Sequence, residues 1–388
     1  MTSVDVSGAR TSLAAPSWPE PTLRALRRTA ERIVQRGAAV GVQAAVRSAD
    51  GQQLGFVFGR THDGDELTRA TRFPLADHTR TVTAALVLEA LNRDGHHPDE
   101  PLARFLPEFG VNGKSGLTVR QLLTDTAGLD ESPGLFTHSG QDLYSRFGRI
   151  CRLAPYEGWD PDADACYSPV AGYEALGHLV ERLTGQRFGD YFDATLGPHT
   201  GALGFLTDFQ GYQRRQAAVA APWTLYAEMP QSGGARPVRP RPGEPKPWPF
   251  PIGGSPAVGA VGSARDVCAL WWALSRAENG EPGHGVSPAT ARLMVTGRRG
   301  VRYDRYLDRE RDYGLGVMTD LAKGRPWGYP AGLTGRSYGH LGLSQVLGGY
   351  LPEYGAAFAL VVNGRTSRPV EFAAMRLVFD ALIGNLRG

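Results

Sequence analysis

Residues 73–95, FPLADHTRTVTAALVLEALNRDG, constrain the fold of this 388-residue chain more than any other stretch. A short extended entry runs into a helix whose apolar positions, Val82, Ala85, Leu86, Val87 and Leu91, cover more than one face. A surface helix carries one apolar stripe, so a helix apolar on several sides has to be covered on several sides. Gly95 supplies its stop, because glycine accepts the left-handed backbone of a helix C-terminus without a Cβ penalty. The rest of the chain is therefore expected to fold around this helix, and its length allows one large α/β unit or two subdomains.

The flanking segments fit that expectation. Residues 1–20 are rich in Ser, Ala and Pro and are expected to be disordered. A helix with Leu23, Leu26, Ala30 and Ile33 on one face follows. Two apolar runs around Asp50-Gly51 then read as a β-hairpin, since Gly tolerates the positive φ of a tight turn. Thr118 and Gln121 match a capping box that opens a helix. Residues 167–185 supply another helix, with Tyr173, Leu176, Val180 and Leu183 in a stripe and Gly185 as its end. Residues 233–254 form a Pro-, Gly- and Arg-rich loop of the kind that closes over sites. Residues 263–274 resume helix. YGHLGLSQVLGGYLPE and YGAAFALVVNG read as two strands joined near Pro352-Glu353. A last helix places Val370, Ala373, Ala374, Leu377, Val378 and Ala381 on a core-facing stripe. The order predicts an α/β fold: an antiparallel sheet from both chain ends, flanked by helices, with a mostly helical second domain inserted. The expected division is 21–72 plus 258–388 for the α/β domain and 73–257 for the helical one, with a cleft between them.

Composition narrows the function classes. The net charge is +3, with no dense basic block, which argues against nucleic acid as a partner. No window resembles a membrane span or signal peptide, and the three cysteines, Cys151, Cys166 and Cys268, are scattered, so a reduced cytoplasmic setting is expected. Only three lysines occur, Lys114, Lys246 and Lys323, and arginine is a poor general base. The nine histidines form no metal-binding spacing, and no nucleotide-cradling glycine motif follows a strand. The expected partner is a small molecule, without metal or cofactor.

Six stretches, FPLADHTRT, LTVRQLLTDTAGL, YSPVAGYEALGHLVERLTG, GAVGSARDV, YGLGV and GHLGLSQVLGGYLPE, occur in an order that resembles the serine β-lactamase and penicillin-binding-protein superfamily, most of all its class C and esterase branch. The resemblance runs from about Val40 to the C-terminal helix and implies a β-lactamase/transpeptidase-like fold. It also implies a mechanism: a serine at the N-terminus of the buried helix attacks a carbonyl, a lysine three residues on helps deprotonate it, a Tyr-x-Asn loop shuttles protons, and a Lys-x-Gly or His-x-Gly strand lines the oxyanion hole. Here the serine position is Asp77 and the lysine position Arg80; the tyrosine is kept as Tyr167, but the asparagine is Pro169; the strand motif is kept as His340-Leu341-Gly342.

An acyl-aspartate would be an anhydride, so the family's acyl transfer is not expected. The helix dipole and Arg80 at i+3 are expected to hold Asp77 ionised, the two forming a salt bridge. Asp77, Arg80, Tyr167 and His340 are the candidate catalytic residues, and His78, Ser168, Gly342 and Ser344 the candidate substrate contacts. His78, one step round the helix from Asp77, also reads as a side-wall or packing residue. Asp125 reads as structural, and Gly-x-Ser-x-Gly around Ser337 as accidental, because a strand rather than a helix follows it. Three functions remain open: a non-covalent acid/base enzyme acting on a small carbonyl metabolite (cyclisation, isomerisation, elimination or condensation) in bacterial specialised metabolism; a non-catalytic protein whose Arg80 and His340 recognise a ligand carboxylate; and a hydrolase using water activated by Asp77 or His340.

Overall fold

A computed structural model of the chain describes residues 19–61, 65–131, 143–205, 254–319, 336–342, 346–363 and 368–383. Of the disordered lead expected over 1–20, residues 1–18 lie outside them, as does nearly all of the 233–254 loop, and Glu20 already begins a helix. The chain opens with α1 (Glu20–Gln35), β1 (Gly41–Arg47) and β2 (Gln53–Gly59). Next come β3 (Phe73–Pro74), the central α2 (His78–Arg93), the short α3 (Val119–Leu123) and α4 (Leu143–Ile150). α5 (Ala171–Thr184), α6 (Phe188–Ala194), β4 (Gly204–Phe205) and β5 (Ala260–Gly262) follow. The last part holds α7 (Ala264–Glu278), α8 (Pro288–Thr296), the hairpin β6 (Val301–Asp304) and β7 (Arg309–Asp312), β8 (Tyr338–Leu341), β9 (Val346–Leu351), β10 (Ala356–Asn363) and α9 (Arg368–Ile383).

Five strands from both chain ends form one antiparallel sheet in the order β2-β1-β10-β9-β8. Side chains alternate across a strand, and the sequence uses that alternation to build two different faces. Val42, Ala44 and Val46 of β1 and Phe358, Leu360 and Val362 of β10 face the core shared with α1 and α9. Ala45, Ala357, Ala359 and Val361 face the other way, in the larger core that holds α7 and the helical block. The small residues on that second face let α7 come close, and Gly348 of β9 is the tightest point: a Cβ there would lie 2.7 Å from the Trp271 ring nitrogen.

α2 is buried along its length, from His78 to Leu91, as its apolar breadth requires. It packs on α5 and α8. Gly95, at φ 71°, ends it, with the His96 N–H returning to the Leu91 carbonyl at 2.8 Å. The capping box of Thr118 and Gln121 is made in both directions. The buried pair Arg146–Glu174, at 2.9 Å, ties α4 to α5.

Two expectations change. YGHLGLSQVLGGYLPE is a hairpin of two strands, β8 and β9, with His340 opposite Gly348. Gly339 and Gly349 permit this pairing, since a Cβ on Gly339 would fall 2.2 Å from the Gly348 carbonyl oxygen. The buried stripe of α9 is rotated by one residue: Ala374, Met375, Val378, Phe379, Leu382 and Ile383 are buried, whereas Ala373 and Leu377 are exposed. The rotation buries Met375, Phe379 and Leu382, and a fully buried side chain of that size stabilises by about 1.5–3 kcal/mol.

Candidate functional site

Asp77 is delivered by a strained turn. β3 pairs with β5, and the Leu75 N–H reaches the Ala260 carbonyl at 2.8 Å. Ala76 then adopts φ 42°, a left-handed backbone that an L-residue adopts at a cost of roughly 1–3 kcal/mol. The chain enters α2 directly after Asp77. The first turns of α2 are held from three sides: Thr79 Oγ1 accepts the Ala260 N–H (3.0 Å), and the Thr81 hydroxyl donates to the Gly316 carbonyl (3.0 Å). The Thr83 hydroxyl donates to the Pro256 carbonyl at 2.5 Å.

The Asp77 side chain does not cap its helix. It accepts the Tyr167 hydroxyl at 2.8 Å, and both residues are buried. Burial pushes the Tyr167 phenol well above its ordinary pKa, with Asp77 reinforcing and Arg80 opposing the shift, so Tyr167 is a neutral donor at working pH.

Arg80 does not pair with Asp77, contrary to the i, i+3 expectation. Its guanidinium is hydrogen-bonded to Asp125, which is as deeply buried, and lies 4.1 Å from the ring centroids of both Tyr167 and Tyr173. Burial works most strongly against the Arg80 charge, but Asp125 together with Tyr167, Tyr173 and Tyr313 outweighs it and holds the group charged. Burial also lifts the Asp125 carboxyl to about 6 against the pull of Arg80, so the pair is ionised at neutral pH. Asp125 has φ 58° and accepts the Ser168 N–H at 3.2 Å. A second buried pair lies beside the first. Arg299 reaches Asp304 at 3.3 Å and the Thr124 carbonyl at 2.7 Å, and Asp304 accepts the Tyr167 N–H at 3.0 Å. Removing one member of a buried pair costs about 3–5 kcal/mol, so both pairs define the position of Tyr167 strongly.

The two imidazoles meet each other. The rings of His78 and His340 lie 5.5 Å apart, and Trp271 donates toward His78 Nε2 at 3.5 Å. That bond assigns the His78 proton to Nδ1. The Nδ1 atoms of both histidines are buried and have no hydrogen-bond partner among the described residues. Burial lowers the His78 pKa to about 3 and takes His340 far below its ordinary value, with His78 and Arg80 adding to the latter shift. Both rings are neutral at working pH. Among the described residues the site therefore combines a carboxylate, a phenol and two uncharged imidazoles, and the Arg80 cation beside Tyr167 is held by Asp125. A carboxylate-recognising pair of Arg80 and His340 is not what this geometry provides.

The remaining candidates divide. The Ser168 hydroxyl donates to Glu131 and accepts the Gly172 N–H at 3.0 Å, so it braces the start of α5 rather than joining Asp77. Gly342 donates its N–H to the Val346 carbonyl at 2.9 Å, closing the β8–β9 turn; Ser344 lies outside the described residues. Ser337 donates to Glu353 at 2.9 Å and is followed by strand β8, and burial raises the Cys166 thiol to about 12. Lys114, the one lysine among the described residues, donates to the Val111 and Cys151 carbonyls at 2.8 and 3.0 Å, away from the site. The described residues hold no cluster of three or more His, Cys, Asp or Glu able to bind a metal, and no helix long and apolar enough to cross a membrane. Asp304, Arg299, Glu131 and Trp271 were not legible as site residues. Glu131 and Trp271 stand far along the chain from Arg299 and Asp304, and the one local signal was the alternation of charged and aromatic residues through VRYDRYLD.

This architecture, a helix-covered antiparallel sheet with a polar cluster at the head of a central buried helix, is that of the β-lactamase and transpeptidase-like proteins. Residues 26–382 match the Beta-lactamase family, and the chain belongs to it. It is 28% identical to Esterase/beta-lactamase LipL of Mycobacterium tuberculosis, over 74% of this chain and 67% of that protein. It is 29% identical to Esterase EstB of Burkholderia gladioli, over 53% of this chain and 57% of that one. Among solved structures, a penicillin-binding protein homolog from Caulobacter crescentus superposes with a TM-score of 0.74 at 19% identity, over 95% of this chain and 98% of that one.

Proposed function

We propose that Asp77 and Arg80 stand where the family's serine and lysine stand, that the chain has lost serine acyl-enzyme chemistry, and that it is a non-covalent acid/base enzyme acting on a small carbonyl compound in specialised metabolism. The observation that carries this reading is the buried 2.8 Å hydrogen bond from the Tyr167 phenol to Asp77. A carboxylate and a phenol sharing one proton can accept at one oxygen and donate at the other. Asp77 takes a proton from the carbon next to the carbonyl; the electron pair moves to the carbonyl oxygen, and a neutral imidazole N–H stabilises the resulting enolate. Return of the proton to a different atom completes an isomerisation; departure of a β-substituent, which takes the proton with it, completes an elimination; and attack of the enolate carbon on a second carbonyl of the same substrate, whose oxygen takes the proton, completes a cyclisation.

The test is a panel of small ketones and β-dicarbonyl compounds in deuterated buffer, followed by proton NMR. Protein-dependent exchange at the α-carbon is expected, abolished in Asp77→Asn and reduced about 100-fold or more in Tyr167→Phe, the usual scale of general acid/base assistance. Exchange unchanged in both variants, or a covalent adduct after incubation with penicillin, would overturn the reading. The named activities of LipL and EstB favour a second reading, ester hydrolysis by water that Asp77 activates. It predicts turnover of p-nitrophenyl acetate without an acyl-protein intermediate.

A further inference from the structure

His78 opens α2, Trp271 lies in α7 and His340 lies in β8. All three are buried, and the His78 ring meets both of the others. Its centroid is 6.1 Å from that of Trp271, with planes at 87°, and 5.5 Å from that of His340, with planes at 67°. Gly348 makes room for this arrangement. It is the register partner of His340, and a Cβ on it would lie 2.7 Å from Trp271 Nε1.

Counting donors and acceptors then places the protons. A neutral imidazole has one donor nitrogen and one acceptor nitrogen, and burial keeps both histidines neutral. The indole N–H of Trp271 can only donate, and it donates to His78 Nε2 at 3.5 Å. His78 therefore carries its proton on Nδ1. That nitrogen is buried with no partner among the described residues, and so is Nδ1 of His340 in the adjoining ring. A buried polar atom left unpaired is costly. If His340 keeps its own Nδ1 unprotonated, a donor on one ring faces the need of an acceptor on the next, and one interaction relieves both.

We propose that Trp271 and His78 are positioning residues: the His78 Nδ1–H donates toward Nδ1 of His340, which puts the His340 proton on Nε2 and makes Nε2–H the donor that His340 offers to a substrate oxygen. The tautomers are set without any substrate; only the use of Nε2–H on an enolate rests on the acid/base reading. The rival influence is the Leu341 backbone, which also acts on the His340 ring and favours its protonated form. If that contact sets the tautomer, His78 is dispensable to it.

Histidine-selective nitrogen-15 labelling and long-range proton–nitrogen correlation spectra of the intact protein, without ligand, read the tautomers directly. Loss of one signal set in His78→Phe and of another in His340→Gln assigns the two rings. The intact protein should show the proton of His78 on Nδ1 and that of His340 on Nε2. In His78→Phe, which keeps a ring but removes the donor, the His340 ratio of Nε2–H to Nδ1–H should fall about tenfold, the upper scale of one hydrogen bond. Trp271→Phe acts one step further back: His78 should populate both tautomers, and the His340 ratio should fall with it. Circular dichroism checks the fold of each variant, and either variant that folds suffices. A His340 proton on Nδ1 in the intact protein, or a His340 ratio that the folded variants leave unmoved, would overturn the proposal. The expected spectra without α-carbon exchange would leave the positioning role standing and remove the acid/base reading. Exchange in a protein whose His340 ratio ignores His78 would do the reverse.

Discussion

His78 and His340 show how burial sets the protonation of an imidazole. The folded chain keeps His78 neutral down to about pH 3, whereas an unfolded histidine takes up a proton near pH 6.5. The contribution of His78 to stability is therefore complete above pH 6.5 and is lost as pH falls from there toward 3, by roughly 2 kcal/mol at pH 5. Glu131 acts in the opposite direction. Burial lifts its carboxyl to about 7, against hydrogen bonds from Ser168 and from the backbone of Ala171 and Val170. Its contribution is complete below about pH 4.5 and is lost as pH rises through 7. The two partly cancel in the wild type, so the informative quantity is a double difference. Urea unfolding at pH 5.0 and 7.5 should show His78→Asn gaining roughly 2 kcal/mol at the lower pH relative to its own cost at the higher one. Glu131→Gln should lose ground at pH 5.0 on the same comparison. A His78→Asn cost independent of pH would mean that His78 titrates normally in the folded chain.

At the scale of elements, α2 organises the molecule, and the YGLGV segment fits tightly against it. Gly316 has φ 77°, and a Cβ there would lie 2.1 Å from that of Ala84, beside the Arg80 carbonyl. Gly316→Ala should destabilise by at least about 2 kcal/mol, combining left-handed strain with overpacking of a full core. It should also loosen the Thr81 hydrogen bond to the Gly316 carbonyl, which braces the helix head. Thermal unfolding reads the first effect, and α-carbon exchange the second. What the sequence made legible belongs to this same scale. The breadth of apolar positions in α2, the Asp50-Gly51 turn and the Thr118–Gln121 box are local patterns, and local backbone chemistry decides them. The stripe of α9 was misplaced by one residue because Ala373 and Leu377 fit the helical period as well as Met375 and Phe379 do; side-chain volume against the sheet broke the tie. The partner of Arg80 was misplaced for a related reason. Asp77 is adjacent on the helix, but its carboxylate turns to Tyr167, and Asp125 reaches Arg80 from a left-handed turn that no periodicity announces.

Across the whole molecule, the fold of the family is intact, and the proposal that Asp77 and Arg80 stand at the serine and lysine positions makes the family's reaction a quantitative question. Asp77→Ser with Arg80→Lys rewrites the serine-lysine pair but leaves Asp125 in place, buried and within reach of the new ammonium. That carboxylate would keep the ammonium protonated, and a protonated amine cannot deprotonate a serine. The double variant should therefore hydrolyse p-nitrophenyl acetate only weakly. Adding Asp125→Asn removes the competing partner and should raise the rate by about 100-fold, the scale of restored general-base assistance. On the same proposal Pro169 stands at the asparagine of the Tyr-x-Asn loop and withholds its amide, so the triple variant should stay short of an efficient esterase. Strong hydrolysis by the double variant alone would show that Asp125 does not hold the group at position 80. The buried pairs around Tyr167 would then be packing left behind by a lost serine rather than the frame of a different reaction.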